Sequence, residues 1–441
     1  MTLAGFELPQ ITAWDPGVSG EGSLDPMGLA AISDRLADRL VPGVRARMQS
    51  IRFVTAMAVG ATACETLADE RPRDDISTPA ICFEWLVIEA FVRRLSPQEM
   101  PTGVPGSQKA RAVVNRRERL SAATYLKGPK VFGFNGVYKP FAVDAGIVGS
   151  ELDPGPRCAE LTRSWETECG LDGFTDAVSG TKGGAFRAQI CEQVRDALSK
   201  GRCATKPGSW LFGDLAEFLR PDEAKPLERR LLRSLVTDDA HETRSELSGY
   251  LTGIRGEMTE AGLLAVLRPS CSPGLKRVID AVIAYERLAR LIDTAFRTLC
   301  WASYAKGFEP LTPLSLQHDA AFATYVRDIP NAYETAVERM SAIGVDSLLE
   351  ERLGDFAIKQ PPGDFFKLLL EHHERIQANK PPQGKSPWFE PFRAGWIVRG
   401  PYATPERPGS SRPGPTTRSG TCSAAGTTTA RCMPPTRQRP R

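Results

Sequence analysis

Acid–base and metal chemistry need carboxylates, imidazoles or lysines gathered at one point, and the chain offers three sets of them. Asp214 followed by Glu223, Ala224 and Lys225 has the loose D…E-x-K order of metal-dependent nucleases. That chemistry places its acids on strands, whereas these positions fall in helical stretches beside Pro221 and Pro226. His241, the His318-Asp319 pair and a later acid, Asp355 or Asp364, have the residue types of HD-type metal hydrolases, but the histidines are far apart in sequence. Glu371-His372-His373-Glu374 lacks the H-E-x-x-H spacing that turns two imidazoles to one helix face.

Other reactive patterns are equally incomplete. Ser179-Gly180-Thr181-Lys182-Gly183-Gly184 is a glycine-rich loop before a helix, where backbone amides can hold an anion, yet it lacks the G-x-x-x-x-G-K-[ST] order and a preceding strand. Ten cysteines are scattered without a C-x-x-C pair, which fits reduced, buried thiols rather than a zinc site. No G-x-S-x-G elbow is present. No catalytic residue, metal or cofactor is assigned on these grounds, and a metal-dependent nuclease or phosphohydrolase is the third-ranked reading.

The stronger pattern is a concentration of positive charge. The whole chain carries a formal +3, but 400–441 holds seven arginines against Glu406, leaving 49 basic and 52 acidic residues elsewhere. Against that mildly acidic background, Lys109, Arg111, Arg116, Arg117, Arg119, Lys127, Lys130 and Lys139 face only Glu118. Such local excess concentrates potential where phosphates would be held. The residues expected to contact nucleic acid are Lys109, Arg111, Arg116, Arg117, Lys127, Lys130, Asn135, Tyr138 and Lys139. In the competing reading, 109–119 is the solvated face of an amphipathic helix and Tyr138 and Phe141 are core.

Elements must position those residues, and the apolar periodicity is helical. Ser23, Asp25 and Pro26 read as cap and first turn of a helix through Leu40, which stops at Pro42-Gly43. A second helix is expected over 44–68, buried all round in its middle, and a third over 79–95. The uncharged run from Phe53 to Cys64 lies between Arg52 and Glu65, short of the roughly 20 residues a membrane span needs. A basic helix over 109–127 precedes one capped by Asn135 and covering 137–145, with Pro140 in its first turn. Gly146-Ile147-Val148, the Asp153-Pro154-Gly155 turn and a helix over 159–168 complete a winged-helix-like module with a small β wing. Further helices follow, the longest after Pro273, and Trp388, Phe389 and Trp396 read as an extended segment docking aromatics on a C-terminal bundle.

The run SLDPMGLAAISDRLADRLVPGVRARMQSIRF resembles the N-terminal signature of an uncharacterised group of bacterial helical proteins, some encoded near antiviral defence genes. The resemblance covers about 30 residues. It implies a subunit of a bacterial defence system and assigns no catalytic residue. The expectation is therefore a mainly α, multi-helical, cytoplasmic protein: a helical region over 1–100, the winged-helix-like module over 101–175, a helical region over 176–399 and a disordered tail over 400–441. Its leading function is a non-enzymatic DNA-binding or adaptor subunit, with double-stranded DNA or a protein as partner and no membrane association. A protein-interaction scaffold without nucleic-acid binding is the alternative.

Overall fold

The computed structural model describes residues 25–45, 47–126, 133–237, 241–254, 258–380 and 384–408. Over these residues it is mainly helical, with fifteen α-helices and one two-stranded sheet. The chain divides into a larger unit, residues 34–279, and a smaller one whose described residues are 25–33 and 280–408. The expected divisions at 100 and 175 both fall inside the larger unit.

Eleven helices begin before Pro273: α1 (Ala30–Leu40), α2 (Phe53–Cys64), α3 (Pro79–Arg94), α4 (Ser107–Asn115), α5 (Phe134–Asp144), α6 (Cys158–Cys169), α7 (Lys182–Lys200), α8 (Leu211–Phe218), α9 (Pro226–Val236), α10 (Glu242–Gly253) and α11 (Glu260–Leu267). The larger unit is built on α2 and α3. Thr78 Oγ1 accepts from the Ile81 amide at 3.3 Å and Pro79 takes the first helical position, so α3 starts with a side-chain cap followed by proline. From Ile81 to Val92 every residue is buried, against α2, α4, α7 and α8. Helix α2 is buried at every position, as its all-round apolar sequence requires. At Gly60 a Cβ would stand 2.5 Å from the Phe83 ring, so glycine sets the approach of α2 to α3.

Helix α2 is shorter than the expected 44–68. The amides of Gln49 and Ser50 donate to the Tyr138 hydroxyl at 2.9 and 3.0 Å rather than to helical carbonyls. The basic helix expected over 109–127 is also cut short. Arg117 adopts φ +62°, its amide donates to Val114 O at 2.9 Å and that of Glu118 to Val113 O at 3.1 Å. This pair of bonds is a Schellman motif with arginine in the place glycine usually takes, and it ends α4 at Asn115.

After α5 the chain forms a single antiparallel bridge between Val148 and Pro154, and α6 follows. The sheet itself lies in the smaller unit, where β1 (Phe389–Phe392) pairs antiparallel with β2 (Gly395–Val398), Phe389 opposite Val398. That unit also holds most of α12 (Pro273–Ala305), with α13 (Ala320–Ser341), α14 (Ser347–Leu353) and α15 (Pro362–Ala378). Trp388 packs as expected, its ring centroid 5.7 Å from Phe296, 5.6 Å from His373 and 4.5 Å from a parallel Tyr402.

Polar side chains strap residues 25–29 to this unit. His373 Nδ1 bonds Pro26 O at 2.8 Å, His372 Nε2 bonds Met27 O at 2.9 Å and Tyr285 donates to Leu29 O at 2.6 Å. The fold also reaches past the expected boundary at Gly400. Arg407 Nη2 donates to both Asp319 oxygens at 2.7 Å, and its guanidinium lies 4.8 Å from the Trp301 ring centroid. Residues 400–408 thus belong to the smaller unit, while 1–24 and 409–441 lie outside the described residues.

Candidate nucleic-acid interface

Two carboxylates that α3 carries into the core organise the basic segment, and both are fully buried. Glu84 accepts the Asn135 backbone amide at 3.0 Å and stands 3.2 Å from the Tyr125 hydroxyl. It thereby caps α5, which has no side-chain cap of its own. A Cβ on Gly133 would lie 2.0 Å from Glu84 Oε1, so a side chain there would displace the capping carboxylate. Burial pushes the Glu84 carboxyl up to about 7, against the lowering effect of its amide and hydroxyl donors. Glu89 pairs with Arg93 at 2.7 Å and with Arg119 at 2.7 Å. Arg119 also donates to the Thr205 carbonyl.

Each residue expected at the interface now has a place or lies outside the description. Lys109, Arg116 and Arg117 are exposed on and just beyond α4, and Arg116 is paired with Glu118 at 3.0 Å. Arg111 turns inward and donates to Leu95 O at 3.1 Å, at the C-terminal end of α3. Lys139 is half-buried on α5. Lys127 and Lys130 lie outside the described residues.

Asn135 and Tyr138 are off the surface, which corrects their assignment as groups reaching a ligand. Asn135 is 6% exposed and its Nδ2 donates to Ala80 O at 2.9 Å, while Tyr138 is fully buried with its ring 5.2 Å from that of Phe53. Nor does Asn135 cap α5, because the helix begins one residue earlier and Glu84 takes its first amides. Pro140 consequently sits inside the helix rather than in its first turn. The core reading of Tyr138 and Phe141, both fully buried, therefore holds.

The weaker sets are dispersed into structural contacts. Lys225 Nζ donates to Glu168 O at 2.5 Å, and Glu223 pairs with Arg220 at 3.3 Å. His241 bonds Asp144 at 2.8 Å, and Asp319 caps α13 by accepting the Phe322 amide at 3.0 Å. Among the described residues no group of three His, Cys, Asp or Glu side chains is placed to hold a metal ion. The glycine-rich loop is packed rather than open: Thr181 Oγ1 accepts the Gly184 amide at 3.0 Å, and a Cβ on Gly184 would lie 2.0 Å from Val178 O. The eight described cysteines are free thiols. Among the described residues no helix is long and apolar enough to cross a membrane.

A feature not singled out from the sequence lies at the start of α2. A cavity of about 330 Å³ is lined by Ser50, Ile51, Arg52, Pro221, Arg229 and Arg233, among others. Arg52 is 3% exposed and pairs through Nε with Glu228, itself 1% exposed, at 2.8 Å. The remaining Arg52 nitrogens donate to the carbonyls of Phe218 and Arg220. Arg229 and Arg233, four apart on α9, share one face. That spacing was the readable signal, but nothing in the sequence places Arg52 and Ser50 opposite it. Compared with protein families, curated proteins and solved structures, the chain matches none of them significantly.

Proposed function

We propose that the chain is a non-enzymatic adaptor subunit, a helical scaffold that acts through contacts with a protein partner. The observation that supports this reading best is the destination of its charged groups. Arg111 sits on the end of α3, Arg119 on Glu89, Arg52 on Glu228 and Arg244 on Asp144 at 2.8 Å. Charges spent in this way fix the relative positions of helices and are withdrawn from gripping a phosphate backbone.

DNA contact is the second reading, and a specific observation favours it: Lys109 in the first turn of α4 and Arg116 and Arg117 just beyond its last are all exposed, and α5, the Val148–Pro154 bridge and α6 follow in the chain. The order α4, α5, bridge, α6 is also the order of a winged-helix module. The bacterial defence setting rests on the N-terminal resemblance alone.

DNA affinity measured against salt on the full chain separates the two readings, with wild type compared to Arg116→Ala/Arg117→Ala/Lys139→Ala. An adaptor gives the same weak binding in both proteins. Tight binding that falls steeply with salt in wild type and is lost in the triple variant would replace the adaptor with a DNA reader, because each phosphate contact releases counterions.

A further inference from the structure

The cavity at the start of α2 has the charge and walls of a ligand site. Two of its ion pairs are internally neutral: Arg52 with Glu228 in the floor, and Asp222 on the rim with Arg220 at 2.9 Å. Arg229 and Arg233 are then the lining cations without an acid in the lining beside them, while Glu223, which shares Arg220 at 3.3 Å, lies outside it. Arg229 Nη2 donates to Ala224 O at 2.6 Å, which holds its guanidinium at the rim with further donors to spare. Arg233 makes no side-chain hydrogen bond or ion pair among the described residues and is exposed.

Against the charged rim stand apolar walls from Ile51, Pro101, Pro221 and Leu232. The volume, about 330 Å³, lies at the small end of ligand pockets.

We infer that this cavity binds a small phosphomonoester, its phosphate held by Arg229 and Arg233 and its organic body against Ile51, Pro221 and Leu232. A phosphomonoester carries about −1.5 to −2 at neutral pH and matches two guanidinium groups, whereas a carboxylate would leave one cation uncompensated. The planar arginine forks suit phosphate oxygens, and the apolar walls favour a ligand with an organic body over phosphate alone. This site is independent of the adaptor reading, and either stands if the other fails.

The test titrates phenyl phosphate, inorganic phosphate and benzoate into the full chain by calorimetry, for wild type, Arg229→Gln/Arg233→Gln and Arg230→Gln. Arg230 is an exposed neighbour on α9 outside the cavity lining, so it controls for general charge. Phenyl phosphate should bind most tightly, lose about tenfold or more in affinity in the double variant and keep its affinity in Arg230→Gln. Shifts of the Arg229 and Arg233 side-chain NMR signals on adding phenyl phosphate to wild type give a reading that needs no variant. Three results would overturn the site: no binding at about 10 mM, equal affinity for all three probes, or equal losses in the double variant and the control.

Discussion

The Glu84 carboxylate of α3 caps α5 from outside by accepting the Asn135 amide at 3.0 Å. Because the carboxyl is buried and pushed up to about 7, its protonation is coupled to folding. The Tyr125 hydroxyl, 3.2 Å from both Glu84 and Pro105 O, serves either state. It donates to the carboxylate when Glu84 is charged, and accepts from the acid while donating to the carbonyl when Glu84 is neutral. A folded pKa above the unfolded value means that the stabilisation is full below about 4.5 and is lost as pH rises through about 7. Glu84→Gln removes the titration, so its cost relative to wild type should shrink by about 2–3 kcal/mol between pH 5 and pH 8. Urea unfolding at the two pH values measures this, and an unchanged difference would refute the coupling.

His373 has the opposite dependence. Pro26 O can only accept, so Nδ1 carries the proton, and Nε2 accepts the Trp388 amide at 2.8 Å. Burial lowers the imidazole to about 4, since a second proton would set Nε2–H against the Trp388 N–H. This stabilisation is present above the unfolded value near 6.5 and is lost as pH falls through about 4. The penalty of His373→Gln seen by calorimetry at pH 7.5 should therefore fall by about 2 kcal/mol at pH 5. Equal penalties at both values would show that His373 does not titrate in this way.

Periodicity and caps made the helices legible where a helix carries its own signals. Thr78-Pro79 marks the start of α3, and the uniformly apolar run from Phe53 marks a buried helix. The failures share one cause, which is partners far away in sequence. Nothing near Asn135 indicates that Glu84, on another helix, will cap α5. Nothing near Gln49 indicates that its amide will meet the Tyr138 hydroxyl rather than continue a helix. The same holds for the candidate site. The positive charge of 107–119 is plain in the sequence, but the consumption of Arg111 and Arg119 by α3 depends on tertiary packing.

Arg117 offers a test of how α4 ends. Its φ of +62° costs an ordinary side chain about 1 kcal/mol, and glycine is free of that cost. The side chain is exposed, so little packing is lost on its removal. Arg117→Gly should therefore stabilise the chain by up to about 1 kcal/mol, and Arg117→Val should destabilise it, since a β-branched residue tolerates this region worst. Thermal unfolding of the two variants decides the matter. Destabilisation by glycine would mean that α4 does not stop in the left-handed turn.

The Arg52–Glu228 pair is nearly sealed from water, so its two halves should be strongly coupled. Arg52→Met leaves a carboxylate buried without its cation, while the carbonyl oxygens of Phe218 and Arg220 lose one donor each and keep the Trp165 indole and the Glu223 amide. A loss of about 3–5 kcal/mol follows. Glu228→Leu leaves a buried guanidinium that still has its carbonyl partners, so its cost should be smaller. In Arg52→Met/Glu228→Leu no charge is stranded, and the double variant should be more stable than Arg52→Met alone despite the extra substitution. Recovery stays incomplete, because the two carbonyls each lose the hydrogen bond that Arg52 supplied. Urea unfolding of all four proteins gives the coupling energy, and simple additivity would show that the pair does not hold α2 to α9.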